Sequence, residues 1–150
     1  MTLWDFAVRA YAAPGVEAAC LSLQDDHGQS VPLLLWAAWA GSQEDLILAQ
    51  AVAITQAWTG AAIEPLRHAR RALKLSLPGA AEPRLALRTS IKTAEIEAER
   101  LLLEALEALG PPRSKSTANA LAAVATAWGD PPPPDAVSRL AEALRAATAL

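Results

Sequence analysis

The sequence predicts an all-α fold: a single compact bundle of about six to eight helices. Alanine, the strongest helix former, supplies 36 of the 150 residues and lets helix axes approach closely. Apolar residues make up 53% of the chain but aromatic residues only 5%, and the alternating runs of β-branched residues that are typical of strands are absent. A chain of this length has room for one domain. We expect a helical core over residues 1–110 and a C-terminal helical extension over 111–150 that packs on it.

Three helices are predicted at the N-terminal end. A capping box at Thr2 and Asp5 starts the first, and Gly28 ends the second, whose apolar face contains Cys20. The third helix, over residues 32–39, is apolar on every side. This predicts that it lies either at the centre of the bundle or against a partner.

The middle of the chain predicts three more helices. A capping box at Ser42 starts a fourth helix that ends near Trp58, because Gly60 interrupts the pattern. A fifth helix is expected over residues 65–75 and a sixth over 84–109. The apolar row of the sixth, at spacings of three and four residues, predicts its buried face: Leu87, Ile91, Ala94, Ala98, Leu101, Ala105 and Leu109.

The C-terminal region is simpler in composition. Two short alanine-rich helices, over residues 114–128 and 135–150, are separated by the prolines from Pro131 to Pro134, a stiff and extended run. The last helix has few large side chains, and we expect it to dock weakly or to fray.

Charge and composition argue against several function classes. The net charge of −3 disfavours nucleic-acid binding, which needs a basic face. A single cysteine and the absence of a basic, apolar leader pattern predict a cytoplasmic protein. The apolar runs are too short or too polar for a membrane-spanning helix, so we expect no integral membrane insertion. Phosphate-loop, nucleophile-elbow and paired CxxC motifs are absent, and we expect no catalytic residues, no metal and no cofactor.

The concentrated basic patch of the sequence lies on the predicted fifth helix. Arg67, Arg70, Arg71 and Lys74 share a face at helical spacing. We predict that this face binds an acidic or phosphate-bearing partner. The alternative is a solvated face that pairs with the protein's own glutamates.

Two tryptophans mark the predicted third helix. Trp36 and Trp39 lie three residues apart in a segment that is otherwise leucine and alanine. Their rings predict a partner-binding face, and the alternative is that they form part of the core, where aromatic residues at helical spacing are usually found.

The polar end of the second helix is another candidate site. Asp25 and His27 bring a carboxylate and an imidazole close together in the sequence. With Arg67 they would supply the polar groups of a pocket between the N-terminal helices. The alternative is a solvated helix end, where His27 suits the negative end of the helix dipole.

Several short runs in this chain are shared with a known family. They are Pro14-Gly15-Val16-Glu17, Cys20-Leu21 with Leu23-Gln24-Asp25, and Pro65-Leu66-Arg67 with Arg70-Arg71. On these positions the chain resembles a family of short bacterial proteins classified as domain of unknown function 2390. The resemblance covers roughly the first 110 residues. It implies a compact, all-helical, cytoplasmic protein, and it brings no catalytic residues to carry over.

We therefore predict a non-enzymatic protein-interaction or adaptor module that binds an unknown protein partner or a second copy of itself. The alternative is a small-molecule-binding protein or an enzyme with a pocket between the N-terminal helices. Capture of a discrete partner would favour the first function, and an occupied pocket would favour the second.

Overall fold

The computed structural model describes residues 1–113 and 116–148. Within these ranges the protein has eight α-helices and no strand, which confirms the predicted fold class. The predicted start of the seventh helix at Ser114 and the predicted end of the last helix at Leu150 lie outside the described residues. In chain order the helices are α1 (Leu3–Tyr11), α2 (Val16–His27), α3 (Val31–Ala40), α4 (Asp45–Trp58), α5 (Glu64–Ala72), α6 (Ala81–Glu107), α7 (Thr117–Trp128) and α8 (Pro134–Thr148).

The core is built around α3. This helix contacts α1, α2, α4, α6 and α7, and its residues 32–37 are all buried. At its start the Ser30 hydroxyl accepts a hydrogen bond from the Leu33 N–H, and at its end Gly41 adopts a φ of 74° that favours glycine. A helix with no polar face thus has neighbours around its whole circumference, which confirms the central position predicted as one alternative.

The two C-terminal helices pack on the core, so of the two alternatives for the last helix the described residues show docking. α7 lies on α3 and α4, and α8 lies on α2 and α7. The buried Gln29 side-chain amide donates hydrogen bonds to the carbonyls of Ala125 (3.2 Å) and Asp130 (3.4 Å), which ties the α2–α3 turn to the end of α7. The apolar face of α8 lies inside the bundle: Val137, Leu140, Ala141 and Leu144.

The helix break predicted after Trp58 is also wrong. Thr59–Ile63 form a π-helical turn that joins α4 directly to α5. The continuous segment Asp45–Ala72 is the one helix, among the residues described, that is long and apolar enough to cross a membrane by length and composition alone, a test that core helices of soluble proteins also pass. At its start the N-cap residue is Glu44 without a side-chain cap, so the predicted Ser42 capping box does not form.

α6 turns a different face to the bundle from the one that its apolar spacing predicts. Its buried residues are Glu95, Ala98, Leu102, Leu103 and Leu106. Leu87, Ala94 and Leu101 of the predicted row are exposed, and the prediction is wrong for them. The face that is buried instead contains the larger side chains Leu102, Leu103 and Leu106, and Glu95 on this face pairs with Arg67 and Arg70 of α5.

Candidate functional site

Arg67 and Arg70 reach from α5 toward α6 and contact acidic side chains there. Arg67 Nε lies 3.1 Å from a Glu95 oxygen, and the two Nη atoms of Arg67 lie 3.0 Å from Glu64 and 3.3 Å from Glu99. Arg70 Nε lies 2.5 Å from the other Glu95 oxygen. Arg67 and Glu95 are both buried. We call these five residues the α5–α6 ion cluster.

Burial and hydrogen bonding act in opposite directions on the carboxylates of the ion cluster. Burial raises the pKa of Glu95, but the hydrogen bonds that Arg70 and Arg67 donate outweigh it and hold the pKa below its usual value. Burial raises the pKa of Glu99 above its usual value, because the nearby Arg67 charge compensates only in part. The hydrogen bond to Glu95 raises the pKa of Arg70. The central charges of the cluster are therefore satisfied within the protein.

This geometry divides the predicted basic face in two. Arg67 and Arg70 contact the protein's own glutamates, as the alternative proposed, and Arg67 is out of a partner's reach. Arg71 has a side chain that is 58% exposed and lies 3.7 Å from Asp25, a separation at which an exposed ion pair contributes little. Lys74 is exposed. The accessible part of the predicted face is thus Arg71 and Lys74.

The loop after α5 presents two leucines to solvent next to these basic residues. Leu75 and Leu77 are 64% and 44% exposed. Together, Arg71, Lys74, Leu75 and Leu77 make a surface of mixed basic and apolar side chains, which we call the loop surface. The sequence predicted Leu75 as the end of the fifth helix and residues 76–83 as a connection, and no site was predicted there. The signal for a surface is leucine at two positions close to proline and glycine.

Arg84 fixes the start of this loop against α6. Its guanidinium donates hydrogen bonds to the backbone carbonyls of Leu73, at 2.8 Å, and of Leu75. These carbonyls follow the end of α5, where unpaired C=O groups carry partial negative charge. The loop surface is therefore held by a defined contact to the first turn of α6.

The chain around the loop surface is strongly basic. Between Arg67 and Lys92 seven arginines and lysines accompany one acidic residue, Glu82, so this segment has a net charge of +6 in a chain whose net charge is −3. Pairing of Arg67 and Arg70 with glutamates leaves five basic residues: Arg71, Lys74, Arg84, Arg88 and Lys92. With Glu82 counted, these five residues leave the segment with a net charge of +4.

The two predicted tryptophans lie on the central helix. Trp36 is 1% exposed, so a partner of the folded chain does not reach it, and the core alternative is confirmed for this residue. Trp39 is partly buried and packs against the core. Neither ring belongs to the loop surface.

Asp25 and His27 lie at the end of α2, ahead of the Gly28 cap. The cavity at the neighbouring α2–α3 turn encloses about 90 Å³, and its lining includes Arg67 but neither Asp25 nor His27. Sites for small organic ligands typically enclose about 300–1,000 Å³. The cavity at this turn is smaller than that range, and the predicted pair Asp25 and His27 does not line it.

Two nucleophilic side chains lie in the interior. Burial raises the pKa of the Cys20 thiol to about 12. Burial, followed by the charges of Cys20 and nearby carboxylates, raises the pKa of Tyr11 to about 12. Neither group ionises at neutral pH, so Cys20 is an inert core thiol as its position on the apolar face of α2 predicts. Residues 1–113 and 116–148 contain no cluster of three or more His, Cys, Asp or Glu side chains that could hold a metal ion.

Comparison with known proteins identifies a family and no individual relative. The model of a family described as "Protein of unknown function (DUF2390)" matches residues 2–106. No curated protein and no solved structure matches the chain. The matched range covers α1 to α6, whereas α7 and α8, which cover α3 and α2, lie beyond it. The chain therefore belongs to the DUF2390 family of proteins of unknown function.

Proposed function

We propose that the protein is a non-enzymatic interaction module of the cytoplasm whose loop surface binds an acidic site on another protein. The observation that carries this proposal is the exposure of Leu75 and Leu77 beside Arg71 and Lys74, in a part of the chain with a large positive charge. The function uses the accessible half of the basic face and leaves the ion cluster intact.

In this proposal, burial of the two leucines of the loop surface provides the affinity, and the basic side chains determine which partner binds. Complete burial of a leucine side chain is worth about 1.5–3 kcal/mol. The basic side chains guide an acidic partner to the loop surface and disfavour a basic one. Arg71 adds a planar donor group that matches the geometry of a carboxylate.

An acidic protein suits the loop surface better than an anionic membrane. Surfaces that enter the headgroup region commonly use tryptophan or tyrosine as anchors. All five tryptophans and the single tyrosine lie outside the segment from Arg67 to Lys92. The apolar residues of the loop surface are leucines only.

The experiment is affinity capture with matched variants, followed by titration of the purified captured protein. The two test variants are Leu75→Ser with Leu77→Ser, and Arg71→Glu with Lys74→Glu. The control is Arg139→Glu with Arg145→Glu, which reverses two exposed charges on α8. We expect each test variant to bind at least about tenfold more weakly, the equivalent of 1.4 kcal/mol, with the helical circular dichroism unchanged.

Added salt should weaken binding of the wild-type protein and should have little effect on the charge-reversal variant. Equal binding by the test and control variants would refute the loop surface as the binding site. The wild-type protein could instead cosediment with phosphatidylserine vesicles, with the test variants failing to do so. This result would show that the loop surface binds a membrane and not a protein.

A further inference from the structure

A row of apolar side chains runs along α6 at the edge of the bundle. Leu87, Ile91, Ala94, Ala98 and Leu101 follow one another at spacings of four, three, four and three residues. This is the repeat of a seam between two paired helices. Leu87 and Leu101 are 52% and 40% exposed, and Ala94 between them is exposed, whereas Ala98 is buried. The folded chain therefore covers only part of the seam.

We propose that α6 of a second copy of this chain covers the row, in an antiparallel dimer with two-fold symmetry. A closed two-fold interface needs a surface that is complementary to itself. Ala94 lies seven residues from both Leu87 and Leu101, at the midpoint of the seam. A small side chain at this point lets two helix axes approach closely.

The charge of α6 changes sign along its length, which supports an antiparallel second copy. Several glutamates of α6 are already paired within the folded chain: Glu95 and Glu99 with Arg67, and Glu104 with Arg100. Among the side chains of α6 outside these ion pairs, Arg88 and Lys92 precede Ala94, and the exposed Glu97 follows it. In an antiparallel pair the half of each helix with Arg88 and Lys92 faces the half of the other that contains Glu97. A parallel pair would place like charges together, which is unfavourable.

The seam and the loop surface are independent of each other. The loop surface consists of residues at the end of α5 and in the following loop, and none of them belongs to the row on α6. A failure of the dimer would leave the proposed binding function untouched, and the reverse also holds. The two sets of variants separate the two proposals.

The test measures the mass of the protein in solution by size-exclusion chromatography with light scattering. The seam variant is Leu87→Glu with Leu101→Glu. Its matched control is Leu85→Glu with Ile96→Glu, because these residues are 49% and 46% exposed on the same helix but outside the row. We expect twice the chain mass of 15.7 kDa for the wild-type protein and the control, and 15.7 kDa for the seam variant. Circular dichroism checks that all three proteins are folded.

A wild-type protein that stays at 15.7 kDa over a wide range of concentration would overturn the proposal. A dimer that both variants lose equally, or that neither loses, would overturn the seam as its interface.

Orientation is tested by cross-linking with a short bismaleimide. Proteins that carry Leu87→Cys and Leu101→Cys are mixed, and the native Cys20 is fully buried and does not react. Antiparallel pairing brings position 87 of one copy near position 101 of the other, so the cross-linked product contains one of each variant. Two copies of position 87 would then be about 21 Å apart, from 14 residues at 1.5 Å each. Cross-links mainly between identical variants would refute the antiparallel arrangement.

Discussion

The core around α3 and the hairpin of α5 and α6 join their helices by opposite means. α3 turns apolar side chains to each of its neighbours, and its residues 32–37 are all buried. In the hairpin, Arg67, Arg70 and Glu95 face inward, while some leucines face solvent, Leu75 and Leu77 in the loop and Leu87 and Leu101 on α6. Apolar burial has no direction and stabilises whatever arrangement packs well. The ion pairs are directional, and Glu95 reaches Arg67 and Arg70 only when its face of α6 points toward α5, even where the net contribution of these pairs to stability is small.

The largest expected loss of stability follows from removal of the Trp36 indole at the centre of the bundle. Trp36→Ala should lower the free energy of unfolding by about 3–5 kcal/mol, since it leaves a cavity where α3 meets its neighbours. The buried Trp36 indole N–H has no hydrogen-bond partner among the described residues, so Trp36→Phe removes an unsatisfied donor while it keeps a ring in place. Urea unfolding should place Trp36→Phe much closer to the wild-type protein. An alanine variant that loses less than about 0.5 kcal/mol, as for a surface site, would contradict the central role of α3.

Removal of the Glu95 carboxylate, which Arg67 and Arg70 share, should cause the second-largest loss of stability. Glu95→Gln leaves Arg67 and Arg70 without their common negative partner, and we expect a loss of about 3 kcal/mol in the free energy of unfolding at neutral pH. Glu97→Gln on the exposed side of the same helix is the matched control and should change stability by less than about 0.5 kcal/mol. If both variants unfold at the same urea concentration, the cluster does not hold the hairpin.

The stability difference between the wild-type protein and Glu95→Gln should depend on pH in a defined direction. The pKa of Glu95 in the folded protein lies below its ordinary value of 4.5. Its contribution to stability is therefore present in full above 4.5 and decreases as the pH falls through the lowered pKa. Urea unfolding at a series of pH values should show the wild-type protein and Glu95→Gln converging as the solution is acidified. A constant gap between the two proteins would contradict the pKa shift.

The smallest effect is expected at Glu99, another carboxylate of the ion cluster. Burial raises the pKa of Glu99 in the folded protein, so its charged form opposes folding, and stability decreases as the pH rises through the raised pKa. Glu99→Gln removes that cost, while Arg67 keeps Glu64 and Glu95. We expect Glu99→Gln to change the free energy of unfolding by less than about 1 kcal/mol at neutral pH. Acidification should not reduce the contribution of this position to stability. A destabilisation equal to that of Glu95→Gln would show that the two carboxylates are equivalent.

Prediction from the sequence succeeded where the signal is local. The Thr2 cap of α1, the Gly28 end of α2 and the apolar α3 all follow from side chains within a few residues of one another. The π-helical turn at Thr59–Ile63 did not follow, because Gly60 normally indicates a break. The candidate site was predicted in part: the basic face was found, but its division into buried and accessible halves required the position of Glu95.

The apolar content, the alanine spacing and the punctuation by glycine and proline determined by themselves that this chain is a helical bundle, and they left two places for α3, the centre of the bundle or a partner-facing surface. These features act through backbone conformation and burial, which depend on near neighbours in the chain. Only the tertiary structure decided which face of α6 turns inward. That face contains Glu95, which pairs with two arginines of another helix, 25 and 28 residues away, and the hydrophobic periodicity of the sequence does not predict a pairing between residues so far apart.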